Sequence, residues 1–187
     1  MRILVAYASK HGATAEIAER IGGVLRGAGL WTDVEPVEQV ATLAPYRAVV
    51  LGSAVYIGRW RAEARRFLKE HRDDLAARDV WIFSSGPTGR GDPEALTKGW
   101  TLPSALKDDV EHIGPHDVAL FHGALDPAEL AFFERWIVRR VGAPEGDYRD
   151  PDAIEAWARG IVGALREGPA TAAPERSRRI GRAGRTR

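Results

Sequence analysis

The feature that most limits the fold of this chain is the alternation of strand-type and helix-type segments over its first 85 residues. Ile3 to Ser9 is a short, nearly continuous apolar run, which fits a strand covered on both faces. Thr14 to Ala28 follows, with Ile17, Ile21, Val24, Leu25 and Ala28 on one helical stripe and Gly27 and Gly29 closing it. Trp31 to Val37 reads as an edge-like strand, and Tyr46 to Ser53 is the strongest strand in the chain. Next, an amphipathic segment puts Ala64, Phe67, Leu68, His71 and Leu75 on one face, before a buried strand from Val80 to Ser84. Strands separated by helix-length segments build βαβ units and a parallel sheet, so the chain is of the α/β class.

Residues 86–117 are less regular. Asp92-Pro93-Glu94 and Leu102-Pro103-Ser104 can each start a short helix, while Gly99, Gly114 and Pro115 interrupt anything longer. Val118 to His122 is a fifth strand. Asp126-Pro127-Ala128-Glu129 is a helix start, and Leu130, Phe133, Ile137 and Val141 line one side of that helix. A last helix begins near Asp150-Pro151 and turns Ile154, Trp157, Ala158, Ile161 and Leu165 inward.

Charge separates this body from its end. Residues 168–187 carry +5, so the overall +1 leaves −4 on residues 1–167. The end segment is rich in Pro, Ala, Gly and Ser and has one large apolar residue, Ile180, so it is expected to be a disordered basic tail. Residues 1–167 are long enough for one well-buried core. The chain has no cysteine, which excludes disulfides, zinc-thiolate sites and thiol catalysis. No apolar run approaches the roughly 20 residues of a membrane span, and the N-terminus shows no signal-peptide pattern, so a cytoplasmic protein is expected.

In an open parallel sheet, ligands bind beyond the carboxyl ends of the strands. Three turns qualify. The first, Ser9-Lys10-His11-Gly12-Ala13-Thr14, leaves a strand and enters a helix directly. Its backbone N–H groups then lack helical partners, and the helix dipole adds partial positive charge, which together favour a phosphate dianion. Ser9 and Thr14 offer hydroxyls, Lys10 a charge, and Gly12 close backbone access. The second turn contains Ala54-Val55-Tyr56-Ile57-Gly58 and reaches Trp60, and its apolar side chains suit a stacked ring, though they equally suit core packing. The third, Ser84-Ser85-Gly86-Pro87-Thr88-Gly89, offers backbone donors and small hydroxyls to the polar edge of a heterocycle. Neither G-x-G-x-x-G nor a Gly-Lys-Ser/Thr loop is present, so dinucleotide and P-loop readings are set aside.

Other constellations are weaker. His112 and His116 are four apart, but Gly114-Pro115 prevents a helix from aligning them, so no metal site is expected. The serines near His122 lack an elbow motif for acyl transfer. The acidic residues of a phospho-acceptor domain are missing after strands one and three, where Ser9-Lys10-His11 and Ser53-Ala54 stand.

With these turns on one sheet edge, the chain resembles the flavodoxin superfamily, and within it the menaquinone-using protoporphyrinogen dehydrogenases. Gly12-Ala13-Thr14-Ala15-Glu16-Ile17-Ala18, Gly52 to His71, and Gly123-Ala124-Leu125 with the following aromatic and arginine-rich helix carry the resemblance. It implies a flavodoxin-like three-layer sandwich with a five-stranded parallel sheet in the order 2-1-3-4-5, formed by residues 1–167. It implies FMN, with its phosphate on the first turn and its ring between the other two. N5 would lie near residues 54–58, and N1 and O2 would face residues 84–89. No side chain is then assigned a catalytic role, because the flavin carries the chemistry. The chain departs from the family at His11, where a hydroxyl residue is usual, and along residues 86–117.

The resemblance implies an FMN-dependent oxidoreductase that takes electrons from a small reductant, such as a porphyrinogen, and passes them to a quinone. Two alternatives stay open: a flavodoxin-type electron carrier, and a flavin-free binding module. The carriers are strongly acidic and this body is only −4, so electrostatic steering towards a basic partner is weak. A quinone partner implies peripheral contact with the inner face of the cell membrane. Phe132 to Arg140 combines aromatics with arginines, as interfacial helices do, and the basic tail adds attraction for anionic lipid. Nucleic acid is not an expected partner.

Overall fold

The apolar runs form the middle of a parallel sheet in the computed structural model, which describes residues 1–97, 99–125 and 144–167. The sheet is built from β1 (Arg2–Ala8), β2 (Trp31–Pro36), β3 (Ala48–Tyr56), β4 (Arg59–Trp60), β5 (Asp79–Ser85) and β6 (Asp117–Phe121). Its order is β2-β1-β3-β5-β6, with β4 folded back on β3. The five long strands are parallel and run second, first, third, fourth, fifth, as expected. The two-residue β4 is an addition, antiparallel to β3.

Strand residues alternate between two cores. Leu4, Ala6, Val49, Leu51, Val80 and Ile82 face α2 (Ala62–Glu70) and α3 (Arg72–Ala76), with Leu106 and Ile113 from the connection to β6. Ile3, Val5, Ala48, Val50, Trp81 and Phe83 face α1 (Ala13–Gly27) and the last helix (Pro151–Glu167). The sheet is therefore the middle of three layers. That explains why β1, β3 and β5 read as unbroken apolar runs: each places residues in both cores. Gly52 fits the same logic, since it pairs with Phe83 across β3 and β5 and any Cβ there would collide with the Phe83 ring.

Element boundaries differ from the expectation in two places. β3 runs to Tyr56 rather than ending at Ser53, because Ala54 pairs with Ser85 and Val55 and Tyr56 pair with β4. The amphipathic segment after it is two helices, α2 and α3, broken at His71 (φ −105°, ψ 19°). Residues 86–117 hold helix at both expected starts, Asp92-Pro93-Glu94 and Leu102-Pro103-Ser104. After α4 (Pro93–Leu96), capped by Asp92 Oδ1 accepting from Glu94 N at 3.0 Å, a 3-10 turn (Ser104–Leu106) runs straight into α5 (Lys107–Ile113). Gly114 ends α5 in the left-handed conformation, φ 63°.

A short antiparallel pair, β7 (Ala124–Leu125) with β8 (Gly146–Asp147), precedes α6, the Pro151–Glu167 helix. In α6, Ile154, Ala158 and Ile161 are buried, while Trp157 and Leu165 pack half-buried against the same core. The helix expected from Asp126, including Phe132 to Arg140, and the tail from residue 168 lie outside the described residues. No described helix is long and apolar enough to cross a membrane.

Candidate functional site

In register, Ala8 of β1 lies beside Ser53 of β3, Ser53 beside Ser84 of β5, and Ser85 beside Phe121 of β6. The parallel ladder therefore brings all three candidate turns to one edge, and side chains join them. Thr14 Oγ1 and Ser85 Oγ share a buried hydrogen bond of 2.7 Å between the first and third turns. The His11 and Tyr56 rings meet edge to face at 6.3 Å between the first and second. Gly86 packs on Val55 so closely that a Cβ on it would come 3.0 Å from Val55 Cβ.

The first turn has the geometry of an anion seat. Gly12 caps α1 at φ 81°, a conformation that L side chains seldom adopt, and has no side chain with which to occupy the helix end. The helix ladder starts with Glu16 N donating to the Gly12 carbonyl at 3.0 Å, so the N–H groups of Ala13, Thr14 and Ala15 lie ahead of it. A Cβ on Gly12 would meet nothing within 4 Å, so the space in front of the turn is open. Ser9, His11 and Ala13 are half-buried, and Lys10 is exposed. This donor set, open and dipole-assisted, fits a phosphate dianion.

The second turn is a two-residue hairpin. Ile57 (φ 50°) and Gly58 (φ 68°) both have positive φ, the pattern of a type I′ turn. Its tip displays Ile57, 75 % exposed, beside the more covered Tyr56. Of the two roles open to the second turn's apolar side chains, Trp60 takes core packing. It is 2 % exposed because its pairing with Val55 turns the indole into the core, where Nε1 donates to Ser84 Oγ at 2.9 Å.

The third turn divides in two. Ser84 and Ser85 are buried, with hydroxyls engaged by Trp60 and Thr14. Gly86, Pro87 and Thr88 are half-buried and leave the sheet, and Gly89 is buried beside Leu96. Gly86 N donates to the Phe121 carbonyl at 3.2 Å, and Gly123 N to the Pro87 carbonyl at 3.1 Å.

Two residues with structural work at this edge carried no sequence signal. His122, buried, sets Nδ1 3.1 Å from the Pro87 carbonyl and Nε2 2.7 Å from the Gly91 carbonyl, bracing the third turn. Arg149 Nη1 donates to Glu16 Oε2 at 2.7 Å, while Nε and Nη2 grip Asp147 at 2.9 and 2.6 Å. That hydrogen bonding holds the Asp147 carboxyl below its ordinary range and Arg149 firmly protonated. Both are visible only once residues far apart in the chain are adjacent.

His112 and His116 do not converge. His112 Nε2 lies 2.8 Å from Asp73, whereas His116 pairs with Asp79 at 2.9 Å and stacks on Trp81. The left-handed Gly114 ends the helix between them.

A doubly covered parallel sheet with three turns gathered at its carboxyl edge, one of them with the geometry to receive an anion, is the architecture of a nucleotide-type cofactor domain. The chain belongs to the flavodoxin domain family, which matches residues 4–152, and FMN is the cofactor of that family. It is 22% identical over 152 residues to the protoporphyrinogen IX dehydrogenase [quinone] of Escherichia coli (strain K12), covering 80% of this chain and 83% of that protein. Among solved structures it is similar to a cysteine-to-serine mutant of the flavodoxin from Pseudomonas aeruginosa (TM-score 0.56, 15% identity, 89% of this chain and 99% of that one). It is likewise similar to oxidised flavodoxin 2 from Bacillus cereus (TM-score 0.52, 21% identity, 87% and 99%).

Proposed function

We propose that this protein is an FMN-dependent oxidoreductase of the quinone-linked dehydrogenase type, oxidising a small-molecule reductant such as a porphyrinogen. The observation that carries the substrate class is the similarity to the quinone-linked protoporphyrinogen IX dehydrogenase, 22% identity over 152 residues spanning 83% of that protein. Two features of this chain favour it over an electron shuttle. The body of residues 1–167 carries only −4, too little for strong steering to a basic partner protein. The site edge also shows exposed apolar side chains, Ile57, Tyr56 and Leu96, which favour an apolar molecule over a salt-bridged protein surface.

In this reading Gly12 to Thr14 and the first-turn N–H groups seat the phosphate, with Ser9, Lys10 and His11 at its rim. Residues 54–58 and 84–89 flank the ring. When bound, FMN supplies the exchange of two electrons between reductant and acceptor. The protein's own part is positional. The Thr14–Ser85 bond fixes the seat against the third turn, and the hairpin tip presents Ile57 to the incoming molecule. Contact with a quinone at a membrane surface falls to segments outside the described residues, Phe132 to Arg140 and the basic tail, in a protein of the cytoplasm.

The test is anaerobic. Protein loaded with FMN should be bleached by protoporphyrinogen and recover its visible absorption on adding menadione. Bleaching by NADPH with a ferredoxin reductase, but not by protoporphyrinogen, would replace the enzyme with a shuttle. A protein that stays colourless after incubation with FMN would point to a flavin-free binding module.

A further inference from the structure

A guanidinium from the other end of the chain crosses to the anion seat. Arg149 stands between β8 and α6, with its backbone fixed on both sides. Tyr148 N donates to the Gly123 carbonyl at 3.3 Å, and Asp150 Oδ1 caps α6 by accepting from Asp152 N and Ala153 N at 3.0 and 3.1 Å. From that anchor the side chain reaches 136 residues back, bonding Asp147 twice, Glu16 once and the Ala13 carbonyl at 3.4 Å. Its side chain is 17% exposed, against 70% for Glu16 and 56% for Asp147. A freely solvated surface pair contributes little; a guanidinium held this way is fixed in place.

Its location matters more than its strength. Glu16 lies in the first turn of α1, where a carboxylate stabilises the empty helix end but opposes a second anion arriving there. We infer that Arg149 is a positioning residue for the phosphate seat, offsetting the charge of Glu16 and Asp147 so that the helix terminus stays attractive to a phosphate dianion. This rests on the reading that the first turn seats the FMN phosphate. With Arg149, the cluster of Glu16, Asp147 and Arg149 sums to −1; without its guanidinium it sums to −2 beside the seat.

Riboflavin separates this role from simple tethering, because it presents the same ring without the phosphate. Affinities of FMN and riboflavin would be measured by flavin fluorescence quenching for the wild type, R149Q, E16Q and E16Q/R149Q at low and high salt. R149Q should weaken FMN about five- to ten-fold and leave riboflavin within about two-fold. Removing Glu16 as well should restore most of the FMN affinity, and added salt should shrink the R149Q effect. Equal weakening of FMN and riboflavin would make Arg149 a tether and overturn the inference, as would unchanged FMN affinity. In either case the phosphate reading would stand, provided the wild type prefers FMN to riboflavin. A wild type that binds the two equally would remove the phosphate reading and this inference with it.

Discussion

Ile57 occupies a backbone conformation that its side chain disfavours. At φ 50° a β-branched residue costs roughly 1–2 kcal/mol, and at 75% exposure no burial offsets it. I57N, which gives the Asn-Gly pair that type I′ turns prefer, should therefore stabilise the FMN-free protein by about 1 kcal/mol in urea unfolding. A loss of stability would show that Ile57 packs usefully. Thr14 and Ser85 make the opposite case. Each hydroxyl is buried and satisfied by the other, so T14V should cost about 1–3 kcal/mol by orphaning Ser85. The pair T14V/S85A should cost clearly less than the two single variants added together, and strict additivity would mean the bond is not felt.

At the scale of elements, legibility follows periodicity. β1, α1, β5 and α6 are readable because their apolar patterns answer to two cores or to one helical stripe. The hairpin at residues 57–58 is not, because Ile-Gly is not the pair that marks such a turn, and β3 accordingly reads three residues short. α5 is legible at its ends, from Leu102-Pro103-Ser104 and Gly114, but not by period, because its burial rests on Ile113, with Val110 partly covered. The three candidate turns are legible as a set through topology, whereas Arg149 and His122 act through contacts more than 30 residues distant in the chain. The amino end of the sheet gives a prediction of its own. Tyr46 is buried beside Asp33, and its phenol is pushed up to about 12, first by that burial and then by its hydrogen bond to Asp33. A raised value means that the folded state holds the proton more tightly than the unfolded one. This stabilisation is complete below pH 10 and is lost as pH rises towards 12. Urea titrations at pH 9 and 11 should show a fall in stability of roughly 1–2 kcal/mol that Y46F lacks. An equal fall in Y46F would assign the alkaline loss to other groups.

The whole molecule joins a flavodoxin-family body, modest in charge, to a site edge that is polar where a phosphate would sit and apolar where a substrate would approach. The family membership and cofactor rest on the match across residues 4–152, and the dehydrogenase reading adds a substrate class to them. The placement of FMN on the three turns can be tested without turnover. Backbone amide shifts, followed by NMR as FMN is added to the full chain, should move most at residues 10–15, 54–58 and 86–89. Little should move beside Arg2, Arg26 and Trp31, which line a separate hollow at the sheet's amino edge. Shifts centred on that hollow, with the first turn unmoved, would contradict the account.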